Sequence, residues 1–545
     1  MSDRSRKVVI VGGVAGGMSA ATRLRRLDET AEIVVFERSW YVSFANCGLP
    51  YHVGGVIEDR EALLLQTPES LGRRFGIDVR VGHEVTAIDR DARLVTVRNL
   101  NTDRETTESY DDLVLSPGAS PFVPDIPGKE RALTLRNIAD VDSMVAAVAK
   151  KPRTAVVVGG GFIGLELAEN LSHRGINVTI VEMADQVLAP LDQEMAAYVA
   201  AELADNGIEV LTGAQAVAID DTTVTLESGQ KLPADMVVMS IGVRPDSRLA
   251  VNAGLEVNAR GGIVVDDRQR TSDPHIFAVG DAAEKRDAVT GEGAMVPLAQ
   301  TANRHGRLVA DVIVGRETAT LPVLGTAIVG IFGLMAASVG WNEKRLRAAG
   351  RNYRAIHAHP GSHAGYYPGA ETLHLKLLVD ADTDEILGAQ AVGRDGVDKR
   401  IDVIATAMRG GLRAADLADL ELAYAPQFGS AKDPINMLGF IDDNVLTGQS
   451  SLAQWHEVEA AQAAGATVVD VRTPGEYRRG HIPGSINIPV DELRDRLDEV
   501  PTGDVIVSCQ VGLRGHVAER LLNQSGRSVR NLTGGYLTWS TATQG

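Results

Sequence analysis

The N-terminal architecture follows from the stretch Val8-Val9-Ile10-Val11-Gly12-Gly13-Val14-Ala15-Gly16-Gly17. A short apolar strand runs into glycines, a helical pattern follows from Met18 to Leu27, and a second apolar strand covers Ile33 to Phe36. This layout points a helix N-terminus at the pyrophosphate of a dinucleotide. Glu37 ends the second strand, 20 residues after Gly17, where a carboxylate accepts ribose hydroxyl protons. The predicted cofactor contacts are Gly12, Gly13, Ala15, Gly16, Gly17, Glu37 and Arg38.

The same strand–glycine–helix–strand unit recurs further along the chain. Val158-Gly159-Gly160-Gly161-Phe162-Ile163-Gly164-Leu165-Glu166 carries a full G-x-G-x-x-G between a strand and a helix. Glu182 ends the next strand with no arginine behind it, and a carboxylate there repels a 2′-phosphate, so the unit predicts NADH rather than NADPH. The predicted contacts of this second Rossmann-type unit are Gly159, Gly161, Ile163, Gly164, Glu166, Glu182 and Gly242.

A third signal identifies the first dinucleotide. Val14 stands where the usual fingerprint has its middle glycine, so the first loop alone leaves a ligand-free turn as an alternative. The stretch Thr271-Ser272-Asp273-Pro274-His275-Ile276-Phe277-Ala278-Val279-Gly280-Asp281 resembles the second FAD motif of the flavoprotein disulfide reductases. That resemblance implies FAD as cofactor, with Asp281, beside Gly280, on its ribityl chain.

A cysteine lies in a polar turn of the segment Ser43-Phe44-Ala45-Asn46-Cys47-Gly48-Leu49-Pro50-Tyr51. An inert buried thiol is the alternative, but near a flavin and a positive helix end we expect Cys47 to have a depressed pKa and to react as thiolate. The segment resembles the coenzyme A-disulfide reductases, which have a single cysteine here. The resemblance implies that oxidised Cys47 pairs with an external thiol, coenzyme A.

The resemblance extends over roughly residues 7 to 445 and implies further sites. Two tyrosines of the family reach the cysteine of a partner subunit, which implies a homodimer; Tyr424 is one, and the other is Tyr366 or Tyr367. Glu166 is implied near the nicotinamide. Any one of the arginines implied to bind coenzyme A could instead be solvated helix surface. The implied coenzyme A contacts are Ser19, Arg23, Arg26, Ser43, Asn46, Arg74, Asn303 and Lys432. Ser116-Pro117-Gly118 departs from the Ala-Thr-Gly of many superfamily members, which puts the local flavin packing in doubt.

The second cysteine opens the loop Cys509-Gln510-Val511-Gly512-Leu513-Arg514 between a strand and a helix. Backbone N–H groups and a helix dipole at such a position favour an anionic sulfur, although an inert thiol is the alternative. The loop resembles the sulfur-carrying loop of a rhodanese domain, as do Asp470-Val471-Arg472, Gly480-His481-Ile482 and Gly534-Gly535-Tyr536. The resemblance implies that Cys509 and Arg514 are catalytic and that Asp470 and His481 are structural anchors.

Composition sets limits on partners. The chain has 545 residues, a formal net charge of −18 and 4% aromatic residues, which argues against nucleic acid or an anionic membrane as partner. Two cysteines provide neither a disulfide framework nor a zinc site, so we expect no metal and a reducing, cytoplasmic setting. The uncharged segment Thr318 to Asn342 predicts two buried strands rather than a membrane span.

The fold class predicted is α/β, with two Rossmann-type domains, an α+β dimerisation domain and a C-terminal rhodanese domain. The predicted boundaries are an FAD-binding domain at 1–122 and 245–324, an NAD-binding domain at 123–244, a dimerisation domain at 325–446, a linker at 447–452 and the rhodanese domain at 453–545.

The resulting hypothesis is an NADH-dependent reductase of coenzyme A disulfide, coenzyme A persulfide and polysulfides. Cys47 is its redox centre, and Cys509 carries sulfane sulfur. A sulfenate-based NADH oxidase or peroxidase is the nearest alternative, although such peroxidases have a histidine where this chain has Ala15. A sulfur carrier or redox sensor with a regulatory flavin is the alternative from another class.

Overall fold

Apolar β-branched residues build the first sheet around β1 (Lys7–Val11), whose central residues Val8, Val9 and Ile10 are fully buried. Strand β1 pairs in parallel with β2 (Glu32–Glu37) and β7 (Asp112–Leu115). With β3 (Asp78–Val81) and β17 (Ile276–Ala278), the strand order is β17-β7-β1-β2-β3. Helices α1 (Ala15–Leu27) and α8 (Ala299–Ile313) pack against each other beside this sheet. The predicted Rossmann-type unit with its parallel sheet is confirmed.

A computed structural model describes residues 5–544, which divide into two units that each pack internally. The first unit comprises residues 5–183 and 213–325, and the second comprises residues 184–212 and 326–544. Besides the elements above, the first unit contains α2 (Leu49–Gly54), α3 (Pro68–Phe75), α4 (Ile138–Ala149), α5 (Phe162–His173), α7 (Arg248–Asn252), β4 (His83–Asp89), β5 (Leu94–Asn99), β6 (Glu105–Ser109), β8 (Ala119–Pro121), β9 (Thr154–Val158), β10 (Asn177–Val181), β12 (Ala216–Ile219), β13 (Thr223–Leu226), β14 (Lys231–Pro233), β15 (Met236–Met239), β16 (Val243–Pro245), β18 (Lys285–Arg286) and β19 (Gly293–Ala294).

The second glycine loop also follows a parallel sheet. Strand β9 pairs in parallel with β10 and β15, and its residues Ala155 to Val158 are buried. Strands β4, β5 and β6 form an antiparallel sheet, as the alternation from Val79 to Val97 predicts, although Val79 to Val81 belong to β3. Two glycine loops at the carboxyl ends of parallel strands therefore lie in the first unit, as expected for dinucleotide sites.

The second unit contains α6 (Gln193–Asp205), α9 (Glu343–Ala348), α10 (Val397–Gly410), α11 (Pro434–Leu446), α12 (Val458–Ala463), α13 (Pro474–Arg479), α14 (Leu513–Gln524), α15 (Gly535–Gln544), β11 (Glu209–Leu211), β20 (Ala327–Ile331), β21 (Leu334–Gly340), β22 (Tyr353–Ala358), β23 (His374–Asp380), β24 (Ile386–Gly393), β25 (Leu452–Ala453), β26 (Thr467–Asp470), β27 (Ile486–Asn487), β28 (Val505–Ser508) and β29 (Val529–Leu532).

An antiparallel sheet in the order β20-β21-β24-β23-β22 forms the α+β part of the second unit. The uncharged segment Thr318 to Asn342 contributes β20 and β21, so the prediction of two strands is confirmed. Only β21 is largely buried, whereas β20 alternates and leaves Ile328 47% exposed. Among residues 5–544, no helix is long and apolar enough to cross a membrane.

The C-terminal part of the second unit is a parallel sheet in the order β25-β29-β28-β26-β27. Leu452, predicted to end the linker, instead begins β25 and pairs with Asn531 because its backbone continues the sheet. The segment before it is fastened: Ser450 Oγ donates to Glu519 Oε2 at 2.6 Å, and the Ser451 N–H donates to Glu519 Oε1 at 2.6 Å. These bonds hold the end of the segment that was predicted to be a linker.

Candidate active site

The first glycine loop is shaped by close backbone approach. Gly12 has φ +99°, and a Cβ there would lie 2.0 Å from the carbonyl oxygen of Ser116. Glu37 accepts from the N–H of Gly13 and the N–H of Ser39, both at 2.8 Å, so its carboxylate is fixed beside the loop. Helix α1 begins at Ala15, and the N–H groups of its first turn have no carbonyl partner within the helix. This arrangement fits a dinucleotide: a carboxylate for the ribose and free N–H groups for the pyrophosphate.

The predicted flavin aspartate lies at the end of β17. Asp281 is in the turn Gly280–Ala282, and burial raises the pKa of its carboxyl while Lys285 opposes that shift. Lys285 is buried and its Nζ donates to the carbonyl oxygens of Gly280 and of Ala283, the latter at 2.7 Å. Burial lowers the pKa of Lys285 to about 8. Sequence reasoning missed Lys285; its place four residues after Asp281 is the one signal that could have marked it.

A partly buried guanidinium contacts the segment Ser116-Pro117-Gly118. Arg136 donates to Ser120 Oγ at 2.6 Å and to the carbonyl oxygen of Pro117 at 2.9 Å. Burial and Arg38 lower the pKa of Arg136, and nearby carboxylates, Asp281 among them, oppose this. Arg38 itself is paired with Asp246 at 3.1 Å. Arg136 was not predicted, because its partners lie 16 and 19 residues away in an irregular segment.

The second glycine loop leaves space that the chain does not fill. The Gly160 N–H donates to Glu182 Oε2 at 2.7 Å, which places the predicted ribose carboxylate at the loop. A Cβ built on Gly161 would meet nothing within 4 Å, and the same holds for Gly242, whose φ is +109°. Protein packing therefore does not require glycine at Gly161, and an open space at the N-terminus of α5 suits a bound dinucleotide. Ile163 lies 39% exposed in the first turn of α5, and Gly164 packs against Gly159.

Cys47 lies in the short 3-10 turn Asn46–Gly48, directly before α2, and is exposed. Desolvation and then the negative charges of Glu166 and Asp281 raise the pKa of its thiol. The predicted depression of this pKa is therefore wrong for the protein alone. Helix α2 has only six residues, whereas desolvation and two nearby carboxylates all disfavour the thiolate.

A tyrosine connects the cysteine segment to the second dinucleotide unit. Tyr51 on α2 donates from its hydroxyl to Glu166 Oε1 on α5 at 3.2 Å. Burial and Glu166 raise the pKa of Tyr51 to about 12, and burial raises the pKa of Glu166. Cys47 is thus the thiol on which charges from both predicted dinucleotide units act. Sequence reasoning gave Tyr51 no role, since Glu166 is 115 residues away.

The structure places the coenzyme A candidates of the first unit on several elements. Ser19 on α1 donates to Asn303 Oδ1 on α8 at 2.6 Å, so these two meet. Arg23 is paired with Asp311 at 2.8 Å and is largely buried, whereas Arg26 is exposed.

The other candidates lie on loops or helix ends. Arg74 is exposed at the end of α3, and Asn46 donates to the carbonyl oxygen of Arg136 at 3.0 Å. Ser43 adopts φ +50° and its N–H donates to the Gly13 carbonyl oxygen at 2.8 Å. Lys432 belongs to the second unit and is exposed.

The two candidate tyrosines, Tyr366 and Tyr367, have different contacts in the second unit. The hydroxyls of Tyr366 and Tyr424 are 2.6 Å apart, and both rings are exposed. This hydrogen bond raises the pKa of Tyr424. Tyr367 instead packs edge-on against His363, with ring centroids 5.7 Å apart. The structure therefore brings Tyr366, and not Tyr367, to Tyr424.

The second cysteine loop is built differently from the first. Cys509 is fully buried at the end of β28, and its Sγ accepts the Gly512 N–H at 3.1 Å. Arg514 donates through both terminal nitrogens to Glu476, at 2.9 and 2.7 Å. The hydrogen bond from Arg514 lowers the pKa of Glu476 to about 2, and the charge of Cys509 acts on Arg514 as well.

Buried polar groups hold this loop from beneath. Arg472 donates to both oxygens of Asp470 and to Gln510 Oε1 at 3.0 Å, and it lies over the Tyr536 ring. His481 stacks on Tyr477 with ring centroids 3.9 Å apart. Asp470 and His481 thus occupy places that suit the anchors expected of them.

Comparisons with known proteins agree with these features. The chain matches the family model for pyridine nucleotide-disulphide oxidoreductases over residues 6–306, the model for their dimerisation domain over 326–433 and the rhodanese-like domain over 454–542. A coenzyme A disulfide reductase of Staphylococcus aureus is 38% identical over 440 residues, which are 80% of this chain and 99% of the relative.

Two solved structures cover nearly the whole chain. The crystal structure of reduced CoADR-RHD from Bacillus anthracis has a TM-score of 0.98 at 49% identity and covers 99% of both chains. An NAD-dependent persulfide reductase from A. fulgidus has a TM-score of 0.92 at 36% identity, covering 98% of this chain and 100% of the other.

Proposed function

We propose that this chain, which belongs to the pyridine nucleotide-disulphide oxidoreductase family and carries a rhodanese-like domain, uses NADH to reduce coenzyme A disulfide, coenzyme A persulfide and polysulfides. One observation carries the proposal. Cys47 is exposed, and its thiol is acted on by the charges of Glu166, on α5 after the second glycine loop, and of Asp281, from the FAD motif. A thiol between two dinucleotide sites is where electrons from a nicotinamide are delivered to sulfur. The related proteins named above act on coenzyme A disulfide and on persulfides, which supports the substrate class.

The chain's residues fit both cofactors. Glu37 and the first turn of α1 would hold FAD, with Asp281 on its ribityl chain, and Glu182 and the open loop at Gly161 would hold NADH. FAD, when bound, transfers the electron pair of NADH to the sulfur centre. The Glu182 carboxylate disfavours a 2′-phosphate, so NADH is the proposed donor.

The proposed sulfur chemistry at Cys47 has two steps. In the first, the Cys47 thiolate attacks the inner sulfur of coenzyme A persulfide, which forms a Cys47–coenzyme A disulfide and releases hydrosulfide. In the second, the electron pair and one proton of a hydride equivalent reduce that disulfide to the Cys47 thiolate and coenzyme A thiol, while NADH becomes NAD⁺. Coenzyme A disulfide enters at the same point and releases coenzyme A thiolate instead.

The carboxylates beside Cys47 have a consequence for this cycle. Glu166 and Asp281 raise the pKa of the free thiol, so they disfavour a negative charge on Cys47. A mixed disulfide carries no charge on Cys47 and is therefore favoured over a Cys47 thiolate beside these two carboxylates. This supports a resting enzyme with coenzyme A attached to Cys47.

We propose that exposed cationic and amide side chains bind coenzyme A itself. Arg26 and Arg74 have no carboxylate within ion-pair distance among the described residues, so both charges are available for phosphates. Arg23 is left out of the proposed set because Asp311 already compensates its charge. Ser19, Ser43, Asn46, Asn303 and Lys432 complete the set.

The hydrogen-bonded pair Tyr366 and Tyr424 is proposed to serve the active site of a partner subunit in a homodimer. The match to a dimerisation domain supports the assembly. When two exposed tyrosines are joined at their hydroxyls, one hydroxyl proton is used between them and the other is available for donation to a leaving thiolate.

The rhodanese cysteine is proposed to carry sulfane sulfur. The Cys509 thiolate attacks the outer sulfur of a persulfide, becomes a persulfide itself and releases the donor's thiolate. The Gly512 N–H and the Arg514 guanidinium, held in place by Glu476, then stabilise the negative persulfide.

The test is anaerobic turnover with NADH and coenzyme A persulfide, together with mass spectrometry of the protein as purified. Sulfide release in step with NADH oxidation, and a coenzyme A adduct on Cys47, are expected. NADH oxidation that requires oxygen, or that is faster with peroxide than with persulfide, would instead identify an NADH oxidase or peroxidase. Stable persulfide on Cys509 with negligible NADH consumption would identify a sulfur carrier.

A further inference from the structure

The Cys509 loop packs on the segment Thr533 to Thr538, which joins β29 to the first helical turn of α15. We call this segment the support turn. The Tyr536 N–H donates to the carbonyl oxygen of Cys509 at 2.7 Å, and the Leu537 N–H donates to that of Gln510 at 3.0 Å. A Cβ on Gly535 would lie 2.4 Å from the Cys509 carbonyl oxygen. A shift of the support turn therefore moves the backbone that carries the sulfur.

The other side of the support turn is bonded to strand β22 of the antiparallel sheet and to His359, which directly follows that strand. The His357 N–H donates to Thr533 Oγ1 at 2.9 Å, and His359 Nε2 shares a hydrogen bond with Thr538 Oγ1 at 2.7 Å. A Cβ on Gly534 would lie 2.8 Å from the His357 Cβ, so the two segments touch without a gap. The Cys509 loop and strand β22 thus contact opposite sides of the support turn.

Strand β22 is itself fixed by buried charge. His357 Nε2 lies 2.9 Å from Glu194 Oε1 on α6, and Lys376 forms ion pairs with Glu194, with Asp192 at 2.9 Å and with Glu343 at 3.1 Å. Burial alone would raise the pKa of Glu194, but Lys376 and His357 lower it. Glu194 is therefore a carboxylate, and His357 must donate from Nε2, which fixes its tautomer.

The neighbouring histidines are fixed as a neutral pair. The Nδ1 atoms of His359 and His374 are 3.0 Å apart, so one of them must donate to the other. Burial lowers the pKa of His374 to about 4 and that of His359 well below its usual value. Tyr198 on α6 stacks on His374 with ring centroids 3.8 Å apart. His359, His374 and Tyr198 are thus each held by a hydrogen bond or by ring stacking.

We propose that His357, His359 and Thr538 are positioning residues for Cys509, so that the antiparallel sheet sets the geometry in which the rhodanese loop accepts sulfur. The sulfur-carrying role of Cys509 rests on the function proposed above; the mechanical connection rests only on the contacts just described. The rhodanese-like part of this chain accordingly has a reactive loop whose support turn is held by residues outside its own sheet.

The experiment uses full-length holoenzyme in a Cys47→Ser background, so that only Cys509 reacts. Anaerobic uptake of sulfur from glutathione persulfide is followed by mass spectrometry of the Cys509 peptide. Thr538→Val removes the hydrogen bond at constant volume, and we expect uptake at least about fivefold slower, the effect of one lost hydrogen bond. Thr538→Ser keeps the hydroxyl and is expected to stay within about twofold of the parent.

Thr543→Val is the matched control on the same helix, because the Thr543 hydroxyl donates only to the Trp539 carbonyl oxygen of its own helix. It is expected to leave uptake unchanged. His359→Gln tests the opposite side of the junction and should slow uptake although it lies outside the rhodanese sheet. Uptake by Thr538→Val at the parental rate would overturn the proposal.

A second measurement separates this proposal from the function on which it rests. Amide hydrogen exchange across residues 509–514 is expected to accelerate in Thr538→Val and not in Thr543→Val. If the parent protein takes up no sulfur, the carrier role of Cys509 fails and exchange alone decides the positioning role. Faster exchange then supports it, and unchanged exchange overturns it.

Discussion

The two cysteine segments share a local design and differ in nearly every other respect. Cys47 and Cys509 each lie in a short turn just before a helix. Cys47 is exposed and is acted on by the charges of two carboxylates, whereas Cys509 is buried and its sulfur accepts the Gly512 N–H at 3.1 Å.

The difference teaches that a helix N-terminus does not by itself determine how a cysteine behaves. The field of a six-residue helix falls off within one turn, while a carboxylate or guanidinium nearby carries a full charge. The Cys509 loop supplies an N–H donor to the sulfur from its own residues, whereas carboxylates act on the thiol of Cys47.

The largest effect is expected at the exposed cysteine. Cys47→Ser removes the nucleophile of the proposed reduction and should lower NADH-dependent sulfide release by at least about a thousandfold. The flavin absorbance should persist, because Cys47 takes no part in the dinucleotide contacts. Cys509→Ser is the matched control with small persulfides. Residual turnover within tenfold of the parent would remove Cys47 from the mechanism.

Cys509→Ser is expected to divide substrates by how their sulfur arrives. Reduction of small preformed persulfides should stay within about twofold of the parent, while reduction of sulfur offered as a protein-bound persulfide should fall at least about tenfold. Steady-state NADH oxidation with the two donors measures the split. An equal loss with both donors would place Cys509 on the obligatory path and contradict the separate roles assigned to the two loops.

Removal of one carboxylate should make the Cys47 segment more like the Cys509 loop. Glu166 raises the pKa of Cys47, so Glu166→Gln should lower it and increase the thiolate fraction at any pH below that pKa. We expect alkylation of Cys47 in the reduced, NADH-free enzyme to be about threefold faster at neutral pH, because a larger fraction of the thiol is ionised.

The control for this change is Glu169→Gln. Glu169 lies on the same helix, and its charge acts on Glu166 and Tyr51 rather than on the Cys47 thiol. An alkylation profile that moves to higher pH in Glu166→Gln would show that Glu166 acts through structure and not through charge.

The smallest effect concerns the ion pair that holds Arg514. The pKa of Glu476 is lowered from 4.5 to about 2, so the stabilisation is complete above about pH 4.5 and is lost as pH falls toward 2. Glu476→Gln should therefore differ from the parent most at pH 5 and least near pH 2.5. Because the pair is partly exposed, we expect a Tm difference of about 1–2 °C at pH 5.

Scanning calorimetry across this pH range measures the difference, with Glu459→Gln, an exposed carboxylate of the same domain, as control. A difference that grows as pH falls would have the wrong sign for a depressed carboxyl. It would mean that Arg514 is held by something other than Glu476.

Local pattern was sufficient for much of the fold. The glycine loops, the strands β1, β9 and β28 and the paired strands β20 and β21 were all predictable, because short apolar runs and glycines act within a few residues. The choice between Tyr366 and Tyr367 was not predictable, since neighbouring residues of one type differ only in which way the chain turns them. Arg136 and Tyr51 were missed because their partners, a carbonyl oxygen 19 residues away and a carboxylate 115 residues away, are distant in the chain.

The sequence by itself determined the α/β class, the two glycine loops, the two cysteine segments and the C-terminal rhodanese-like domain, since each depends on residues adjacent in the chain. Only the tertiary structure decided which charges surround each thiol. Glu166 approaches Cys47 from 119 positions away, and His357 reaches Thr533 across 176. Electrostatic and hydrogen-bonding effects depend on distance in space, and chain separation carries no information about it.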